Sequence, residues 1–355
     1  MKRFTLLNKY FIVSLFIGIF YSCDEENPTP AVKLADGIYI TNEGNWGQSN
    51  GSVSYYNYST DSVYNDLFQN INGRSLGDVV QSSTVADSLI YIVVNGSNKI
   101  EIAHKQNLKE VDVITELDNP RYFKIKNDIG YLSQWGEDGV IKVIDLSTNS
   151  ITQTIEVGTG PEQMEIINNT LFVANSGAYD RDSTISVINL STNEVIATIN
   201  VGDNPRDFAI DKNNKLWVLC FGYQQYVEPY LETGSKLIRI NPLNYEVEKT
   251  IEIGETLHPT CIEAGKNGDY LYIGGGYGFE GIFKFSGADD IFPTEPIVDK
   301  AFYAIYVDAT HDNIFGFDAL NYASRGNMHR YDSEGNQLGL YEVGIIPNGS
   351  SSKKK

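Results

Sequence analysis

Apolar and polar residues alternate in short runs along the chain, and one arrangement of such runs occurs twice. Residues 143–166 read VIDLSTNSITQTIEVGTGPEQMEI, and residues 187–210 read VINLSTNEVIATINVGDNPRDFAI. Each copy has two alternating runs joined by an LSTN turn, a Gly-x-x-Pro step and a third run. Alternation at period two predicts β-strands with one buried face. The offset of about 44 residues is the length of a four-stranded propeller blade.

Two strand patterns recur seven times and extend the repeat over the chain. Apolar or aromatic second strands begin at residues 38, 90, 130, 171, 216, 271 and 314. Alternating third strands begin at residues 51, 98, 139, 183, 235, 280 and 326. Seven such units predict an all-β fold, a seven-bladed β-propeller of four-stranded blades over residues 36–349, without amphipathic helices. A β-helix or an open solenoid is the alternative, although its repeats would be shorter.

The C-terminal segment predicts how the ring closes. Residues 343–349 read VGIIPNG and repeat the step that elsewhere introduces the innermost strand of the next blade, yet no eighth blade follows. We therefore expect this segment to supply the innermost strand of the blade that holds residues 38–68. Residues 350–355 read SSSKKK, and we predict that they form a disordered tail.

The first 22 residues have the composition of a targeting segment and do not belong to the fold. They carry three cations and no acidic residue, namely Lys2, Arg3 and Lys9. Residues 11–20 form an apolar run that is too short to span a bilayer and suits a signal peptide. We therefore predict a signal peptide over residues 1–22.

This segment ends in Phe20-Tyr-Ser-Cys23, which resembles the lipobox of bacterial lipoproteins in the looser form found in Bacteroidetes. The resemblance implies that Cys23 is lipidated and that residues 23–35 form a flexible tether. The acidic residues 24–26 resemble the signal that exports such lipoproteins to the cell surface. We expect an outer-membrane lipoprotein that faces the medium and contacts the membrane through its lipid anchor only. A soluble secreted protein is the alternative.

Charge and cysteine content narrow the functions further. A formal charge of −19 without a basic stripe excludes binding to nucleic acid. Cys220 and Cys261 lie in apolar strand segments, so we expect buried free thiols. A disulfide between them is the alternative in an oxidising location.

The two faces of the predicted propeller have different loops. Loops between first and second strands, and between third and fourth strands, are short polar turns such as LSTN. The other connections are long and rich in aromatic, amide and arginine side chains, which suits ligand recognition. We expect this second face to bind the ligand through Asn45, Trp46, Gln48, Asn95, Arg121, Gln134, Trp135, Gln163, Asn175, Tyr179, Arg181, Arg206, Tyr223, Tyr226, Tyr277, Phe279, Tyr322 and Arg325.

The sequence does not contain the residue sets that catalysis requires. Of four histidines, His258 is the one expected near the axis on the aromatic face, and one histidine makes a poor hydrolase, lyase or transition-metal site. Asp78, Glu162 and Asp207 at the channel mouth either hold Ca²⁺ or cap exposed backbone amides, and we favour capping. We therefore predict no enzyme activity, no cofactor and no metal site.

The LSTN-containing phrase resembles the YVTN-type propeller repeat of bacterial surface proteins. Over residues 36–349 the chain is also similar to the Bacteroidetes surface-lipoprotein propellers that include the BtuG cobalamin-binding family. The phrases that carry this similarity include ITNEGNWGQSNGSVSYYN (40–57), NPRYFKI (119–125), GDNPRDFAID (202–211) and VGIIPNG (343–349). The resemblance implies capture of a corrinoid and its delivery to a TonB-dependent outer-membrane transporter.

Two other functions fit the same residues. A protein or glycan interaction scaffold at the cell surface, without a small-molecule ligand, suits the wide, acidic and loop-rich surface. An enzyme such as a lactonase or a lyase would need a bound metal.

Overall fold

The computed structural model describes residues 34–136 and 138–352. Within these residues the chain forms seven four-stranded antiparallel sheets and one small two-stranded hairpin. This arrangement confirms the predicted all-β propeller with seven blades. The predicted signal peptide, Cys23 and most of the predicted tether lie outside the described residues, so they stay predictions.

The first three blades cover the N-terminal part of the ring. Blade 1 contains β1 (Gly37–Asn42), β2 (Ser52–Asn57) and β3 (Ser62–Tyr64). Blade 2 contains β4 (Val80–Ala86), β5 (Leu89–Val94), β6 (Lys99–His104) and β7 (Glu110–Ile114). Blade 3 contains β8 (Pro120–Lys126), β9 (Ile129–Gln134), β10 (Val140–Asp145) and β11 (Ser150–Glu156).

The other four blades follow in chain order, and blade 5 carries the two-stranded hairpin as an insertion. Blade 4 contains β12 (Pro161–Ile167), β13 (Thr170–Asn175), β14 (Thr184–Asn189) and β15 (Glu194–Asn200). Blade 5 contains β16 (Pro205–Ile210), β17 (Leu216–Cys220), the hairpin strands β18 (Tyr223–Gln224) and β19 (Glu232–Thr233), β20 (Ser235–Ile240) and β21 (Val247–Gly254). Blade 6 contains β22 (Cys261–Ala264), β23 (Leu271–Gly274), β24 (Glu280–Phe285) and β25 (Val298–Ala301). Blade 7 contains β26 (Ala304–Asp308), β27 (Asn313–Asp318), β28 (Arg325–Asp332) and β29 (Gln337–Ile345), and β30 (Pro347–Ser351) ends the chain's strands.

Helical structure is limited to short connections. An α-helix, α1 (Leu67–Asn72), joins blade 1 to blade 2, which the strand pattern did not predict. Two 3₁₀ turns occupy Asn95–Ser97 and Lys266–Gly268. None of the helices in the described part of the chain has the length and apolar character of a membrane-spanning segment.

In blade 3 and again in blade 4, an LSTN turn joins the third and fourth strands in a tight hairpin. Asn149 and Asn193 adopt positive φ angles of 53° and 56°. Asparagine tolerates this left-handed conformation better than most residues with a side chain. Each turn is also held by a side chain before it: the Asp145 carboxylate accepts the Ser147 N–H at 2.8 Å, and Asn189 makes the equivalent bond. The turn sequence therefore sets the hairpins that the repeat predicted.

The hydrophobic core lies between neighbouring blades, where the buried faces of their strands meet. Phe172 and Val187 of blade 4, for example, pack against Leu216 and Val218 of blade 5. Full burial of each such side chain stabilises the fold by roughly 1.5–3 kcal/mol. Because neighbouring blades cover both faces of the second and third strands, these strands are buried almost throughout, as in β5 and β10, and the single buried face predicted from their alternation is wrong for them.

The C-terminal strand closes the ring, as the sequence predicted. In the closing sheet β30 lies beside β1, with Thr41 paired to Gly349 and Ile40 to Ser350. The predicted start of a disordered tail at residue 350 is wrong, because β30 continues to Ser351. The Ser350 side chain donates to the Tyr39 carbonyl at 2.9 Å. The strand extends this far because the inner edge of β1 would otherwise have unpaired backbone groups.

Both cysteines in the described chain are free thiols, as expected from their apolar strand segments. Cys220 is fully buried, and Cys261 is half-buried at the channel wall. Burial raises the pKa of both thiols to about 12. Thiols with such a high pKa are unreactive at neutral pH, which suits a packing role.

Candidate functional site

A cavity of about 1390 Å³ occupies the middle of the ring and is lined by the innermost strands of all seven blades. We call it the central channel. One end of it is surrounded by loops between second and third strands, including the segments around Trp46, Tyr179 and Tyr277. These three side chains are largely exposed. The structure therefore places aromatic side chains around one mouth of the channel, on the face that the sequence predicted.

Seven side chains stand at the equivalent position near the start of each innermost strand, and we call them the entrance ring. In five blades this position lies within an irregularity of the pairing with the second strand. Such bulges turn side chains away from the regular ladder. In blade order from blade 1, the entrance ring consists of Asn348, Gln81, Arg121, Glu162, Arg206, Thr260 and Tyr303.

Arg121 is the most densely bonded member of the entrance ring. Its guanidinium forms two bonds to the Glu162 carboxylate, at 2.8 and 3.3 Å, and donates to Gln81 Oε1 at 2.7 Å. Its Cζ also lies 4.1 Å from the centre of the Trp135 ring. Because the Glu162 side chain is only 1% exposed, this is a buried and bidentate ion pair. It links three adjacent blades.

Glu43 lies on the opposite side of the entrance ring, directly after β1. Its Oε1 accepts hydrogen bonds from Tyr303 Oη at 3.0 Å and from Asn348 Nδ2 at 3.2 Å. Burial raises the pKa of the Glu43 carboxyl above its ordinary value, while these two bonds act in the opposite direction. The Asn348 amide also donates to the carbonyls of Val80 and Gln81. The closing strand therefore contributes a polar side chain to the channel mouth.

Arg206 differs from Arg121, although both follow a proline at the start of an innermost strand. Its Cζ lies 5.2 Å from the Phe221 ring centre, but its guanidinium makes no hydrogen bond or ion pair with any residue that the structure describes. Beside it, His258 is buried and uses both ring nitrogens. Nδ1 lies 2.6 Å from the Phe221 carbonyl, and Nε2 lies 2.9 Å from Glu232 Oε1. His258 thus fixes the base of the β18–β19 hairpin.

Below the entrance ring the channel wall carries further ionisable groups. Lys124 pairs with Glu165 at 3.2 Å. Asp207 accepts the backbone N–H groups of Ile262 and Phe208, and burial raises its pKa to about 6. Groups of three or more histidine, cysteine or acidic residues that suit a metal ion do not occur in the described chain.

The three carboxylates considered for Ca²⁺ bind other partners. Asp78 accepts the Gly47 N–H at 2.8 Å, and Asp207 accepts two backbone N–H groups. Glu162 is paired with Arg121. Asp78 and Asp207 therefore cap backbone amides, as we favoured from the sequence.

Half of the predicted binding residues line the channel or its mouth. Four of them, Trp46, Tyr179, Tyr226 and Tyr277, present exposed rings. The full set is Trp46, Asn95, Arg121, Trp135, Gln163, Tyr179, Arg206, Tyr226 and Tyr277. Sequence reasoning missed Glu43, Tyr303, Gln81 and the role of Asn348 in the site. For Gln81 and Asn348, their position at the start of an innermost strand was the available signal.

Three predicted binding residues are buried outside the channel lining, and these predictions are wrong. Phe279 is 1% exposed and packs in the core between blades 5 and 6. Gln134 accepts the Asp118 N–H from within blade 3. Asn175 donates to Thr184 and Ser186 on the neighbouring strand. The amides satisfy backbone and side-chain groups that burial would otherwise leave unpaired.

The other six predicted residues lie at the aromatic face, four of them in loops, Tyr223 in β18 and Arg325 at the start of β28, and they do not line the channel. Asn45 donates to the Tyr322 carbonyl at 2.8 Å, and Arg181 pairs with Asp203 at 2.8 Å. Arg325 pairs with Asp66. The binding role of this set stays a prediction for Asn45, Gln48, Arg181, Tyr223, Tyr322 and Arg325.

Comparison with solved structures shows the same fold in proteins of very different sequence. A quinonprotein alcohol dehydrogenase-like protein from Bacteroides thetaiotaomicron VPI-5482 matches with a TM-score of 0.66 and 13% identity, over 90% of this chain and 78% of that one. A functionally unknown protein from Desulfotomaculum acetoxidans matches with a TM-score of 0.64 and 12% identity, over 89% and 98% of the two chains. Hydrazine synthase from Kuenenia stuttgartiensis matches with a TM-score of 0.62 and 15% identity, over 84% and 90%. At such identities the similarity shows the fold alone.

Sequence comparison adds the family. No curated protein sequence matches the chain. The family described as a domain of unknown function, DUF5074, matches residues 36–314, which is well over half of the chain. That match covers most of the propeller, from β1 to the start of β27. The chain therefore belongs to the DUF5074 family.

Proposed function

We propose that this chain is a binding protein without enzyme activity that captures a small ligand at the aromatic mouth of the central channel. The observation that carries the proposal is the mouth itself, a wide opening surrounded by the exposed rings of Trp46, Tyr179, Tyr226 and Tyr277. A cluster of aromatic rings exposed to water is unfavourable unless a ligand or partner covers it. Concave sites with aromatic walls and a few polar groups are typical of ligand binding.

A corrinoid is the ligand we propose first. The sequence resemblance to the BtuG cobalamin-binding family points to it, and the chemistry of the mouth supports it. A corrin ring is broad and carries amide groups at its edge, so it needs flat apolar contacts together with polar partners. The aromatic rings provide the contacts, while the amide side chains of Asn95 and Gln163 lie in the same lining.

The same resemblance supports a role in a transport process. We propose that it is anchored by lipid at Cys23 on the outside of the outer membrane and passes the ligand to a TonB-dependent transporter. The lipobox-like sequence before Cys23 and the acidic residues 24–26 support the location. Enzymes such as hydrazine synthase share this fold, but the channel lining of this chain has one histidine, and the described residues contain no metal-binding cluster.

The test is co-elution of cyanocobalamin with the purified chain through a desalting column, followed by affinity measurement by isothermal titration calorimetry. Blade 6 offers a matched pair of variants, because Tyr277 is exposed at the mouth and Tyr270 is exposed on the opposite face. We expect Tyr277→Ala to weaken binding roughly tenfold and Tyr270→Ala to leave it unchanged. Absence of co-elution, or equal effects of both variants, would contradict the proposal.

A scaffold for a protein or glycan partner is the second candidate, and the β18–β19 hairpin favours it. Between its strands the hairpin exposes Tyr226, Val227, Tyr230 and Leu231. Of these, only Tyr226 lines the channel. The apolar tip therefore extends beyond what a ligand in the channel contacts. A partner that binds the purified chain and is lost with Tyr230→Ala, without any bound corrinoid, would favour this function.

A further inference from the structure

Arg206 and Arg121 stand at equivalent positions of blades 5 and 3 in the entrance ring. Arg121 is paired with a carboxylate, whereas Arg206 is not. The partner of Arg121 is Glu162, which stands at the equivalent position of the next blade. The residue that follows Arg206 in the ring is Thr260, which has no charge. The repeat therefore builds an ion pair between blades 3 and 4 and leaves the second arginine without one.

Glu43, which interacts electrostatically with Arg206, and Asp207, its neighbour in the chain, already have other partners. Glu43 accepts bonds from Tyr303 and Asn348, and its carboxyl is shifted towards the neutral form by burial. Asp207 is turned to the backbone N–H groups of Ile262 and Phe208. Neither forms an ion pair with Arg206. The guanidinium lines the channel, and its donors have no partner among the residues that the structure describes.

The surroundings of Arg206 restrict the orientation of its guanidinium. Its guanidinium lies beside the ring of Phe221. The backbone carbonyl of Phe221 is hydrogen-bonded to His258. A ring beside a guanidinium restricts its orientation through cation–π attraction. Arg206 is half-buried. Because its guanidinium has lost part of its hydration, hydrogen bonds to two oxygens of one anion would stabilise it.

We propose that Arg206 forms a subsite for an anionic group, a phosphate or a carboxylate, on the ligand that occupies the channel mouth. This inference rests on the proposed function in that it uses the same mouth, and it adds the chemical class of the ligand. The ligand combines a flat apolar body, which contacts the exposed aromatic rings, with a group that accepts two hydrogen bonds from the guanidinium. A phosphodiester within a corrinoid and a free organic phosphate both have this chemistry.

The acidity of the chain does not oppose a local anion site. The formal charge of −19 is spread over the whole molecule. At physiological ionic strength the field of an exposed charge is screened within about 8 Å. A partly enclosed guanidinium at hydrogen-bond distance from the ligand therefore determines the interaction, while the overall charge slows the approach of anions at low salt.

Inorganic pyrophosphate is the first probe, because it carries the anionic group without any body that the aromatic rings could hold. Its affinity would be measured by calorimetry for the purified chain and for two variants. Arg206→Gln removes the unpaired guanidinium. Arg330→Gln is the control, because Arg330 is paired with Asp61 at 2.9 Å, does not line the channel and is not among the predicted binding residues. Thermal unfolding of each variant checks that its fold is intact.

We expect pyrophosphate to bind at millimolar concentration or below, Arg206→Gln to weaken it at least about tenfold, and Arg330→Gln to change it less than about twofold. Arg206→Lys keeps the positive charge but loses the planar guanidinium that can bind two oxygens at once. Its affinity for pyrophosphate should therefore lie between those of the wild type and Arg206→Gln. No binding by the wild type, unchanged binding by Arg206→Gln, or an equal loss in Arg330→Gln would overturn the subsite.

A second pair of probes separates this subsite from the corrinoid proposal. Cyanocobalamin contains a phosphodiester, and dicyanocobinamide lacks the nucleotide loop that carries it. Selective weakening of cyanocobalamin by Arg206→Gln supports the subsite within a corrinoid site. Pyrophosphate binding through Arg206 without corrinoid binding supports the subsite and refutes the corrinoid. Corrinoid binding that is equal for both probes and insensitive to Arg206→Gln refutes the subsite alone.

Discussion

Loss of the Glu162 charge is expected to destabilise the propeller, because it would leave Arg121 without its counter-charge. Glu162→Gln keeps the shape of the side chain and removes one negative charge. The side chains of the pair are 1% and 12% exposed, so water cannot replace the lost partner fully. Breaking a buried pair by removing one member costs about 3–5 kcal/mol.

One hydrogen bond reduces this cost. The amide oxygen of the glutamine can still accept a hydrogen bond from the Arg121 guanidinium, where the carboxylate now accepts one at 2.8 Å, and such a bond is worth about 1 kcal/mol. We therefore expect a loss of roughly 2–4 kcal/mol. For a chain of this length the unfolding entropy converts that loss into a decrease of about 3–6 °C in the midpoint of thermal unfolding.

The assay is urea unfolding followed by tryptophan fluorescence, with calorimetry for the thermal midpoint. Glu334→Gln serves as the control, because Glu334 is largely exposed in its pair with Lys284 and should cost less than about 0.5 kcal/mol. The double variant Arg121→Met with Glu162→Gln removes both charges and should recover much of the loss. Wild-type stability in Glu162→Gln, or strictly additive losses in the double variant, would refute the reasoning.

Two further predictions concern the core and the closure of the ring. Phe279→Ala should lower the free energy of unfolding by about 3–5 kcal/mol, because Phe279 is buried in the core. Tyr277 lies two residues away and is 87% exposed, so Tyr277→Ala should change this free energy by less than about 0.5 kcal/mol. Equal urea midpoints for the two variants would contradict this prediction. Removal of residues 347–355 deletes β30, leaves the inner edge of β1 unpaired and removes the bond from Asn348 to Glu43. The shortened chain should unfold at a clearly lower urea concentration than the full chain, and an unchanged midpoint would show that closure by β30 does not stabilise the ring.

Much of the fold could be predicted because propeller blades are local in sequence. Each blade except the closing one is formed by strands that follow one another, so period-two alternation and turn residues indicate them directly. The closing strand was also predictable, since VGIIPNG repeats a phrase found elsewhere in the chain. Its last residues were not, because serines carry no apolar pattern and pair only to complete the edge of β1.

The binding residues were harder to predict because exposure changes within short loops. Tyr277 and Phe279 are two residues apart, and one is exposed while the other is buried in the core. Gly276 and Gly278 adopt positive φ angles of 104° and 79°, which bend the backbone at this point. Composition showed that the loop is aromatic, but only its path in three dimensions decides which ring points to solvent.

The sequence by itself determined the number of blades, the order of their strands, the closing segment and the face with long aromatic loops. All of these depend on patterns within about 44 residues or on repetition of such patterns. The tertiary structure alone decided which side chains meet at the channel mouth. Glu43, Tyr303 and Asn348 come from distant parts of the chain and meet only because the ring closes. The same geometry brings Arg121 and Glu162 of neighbouring blades within 2.8 Å of each other, a contact that depends on the distance between blades, which no local pattern records.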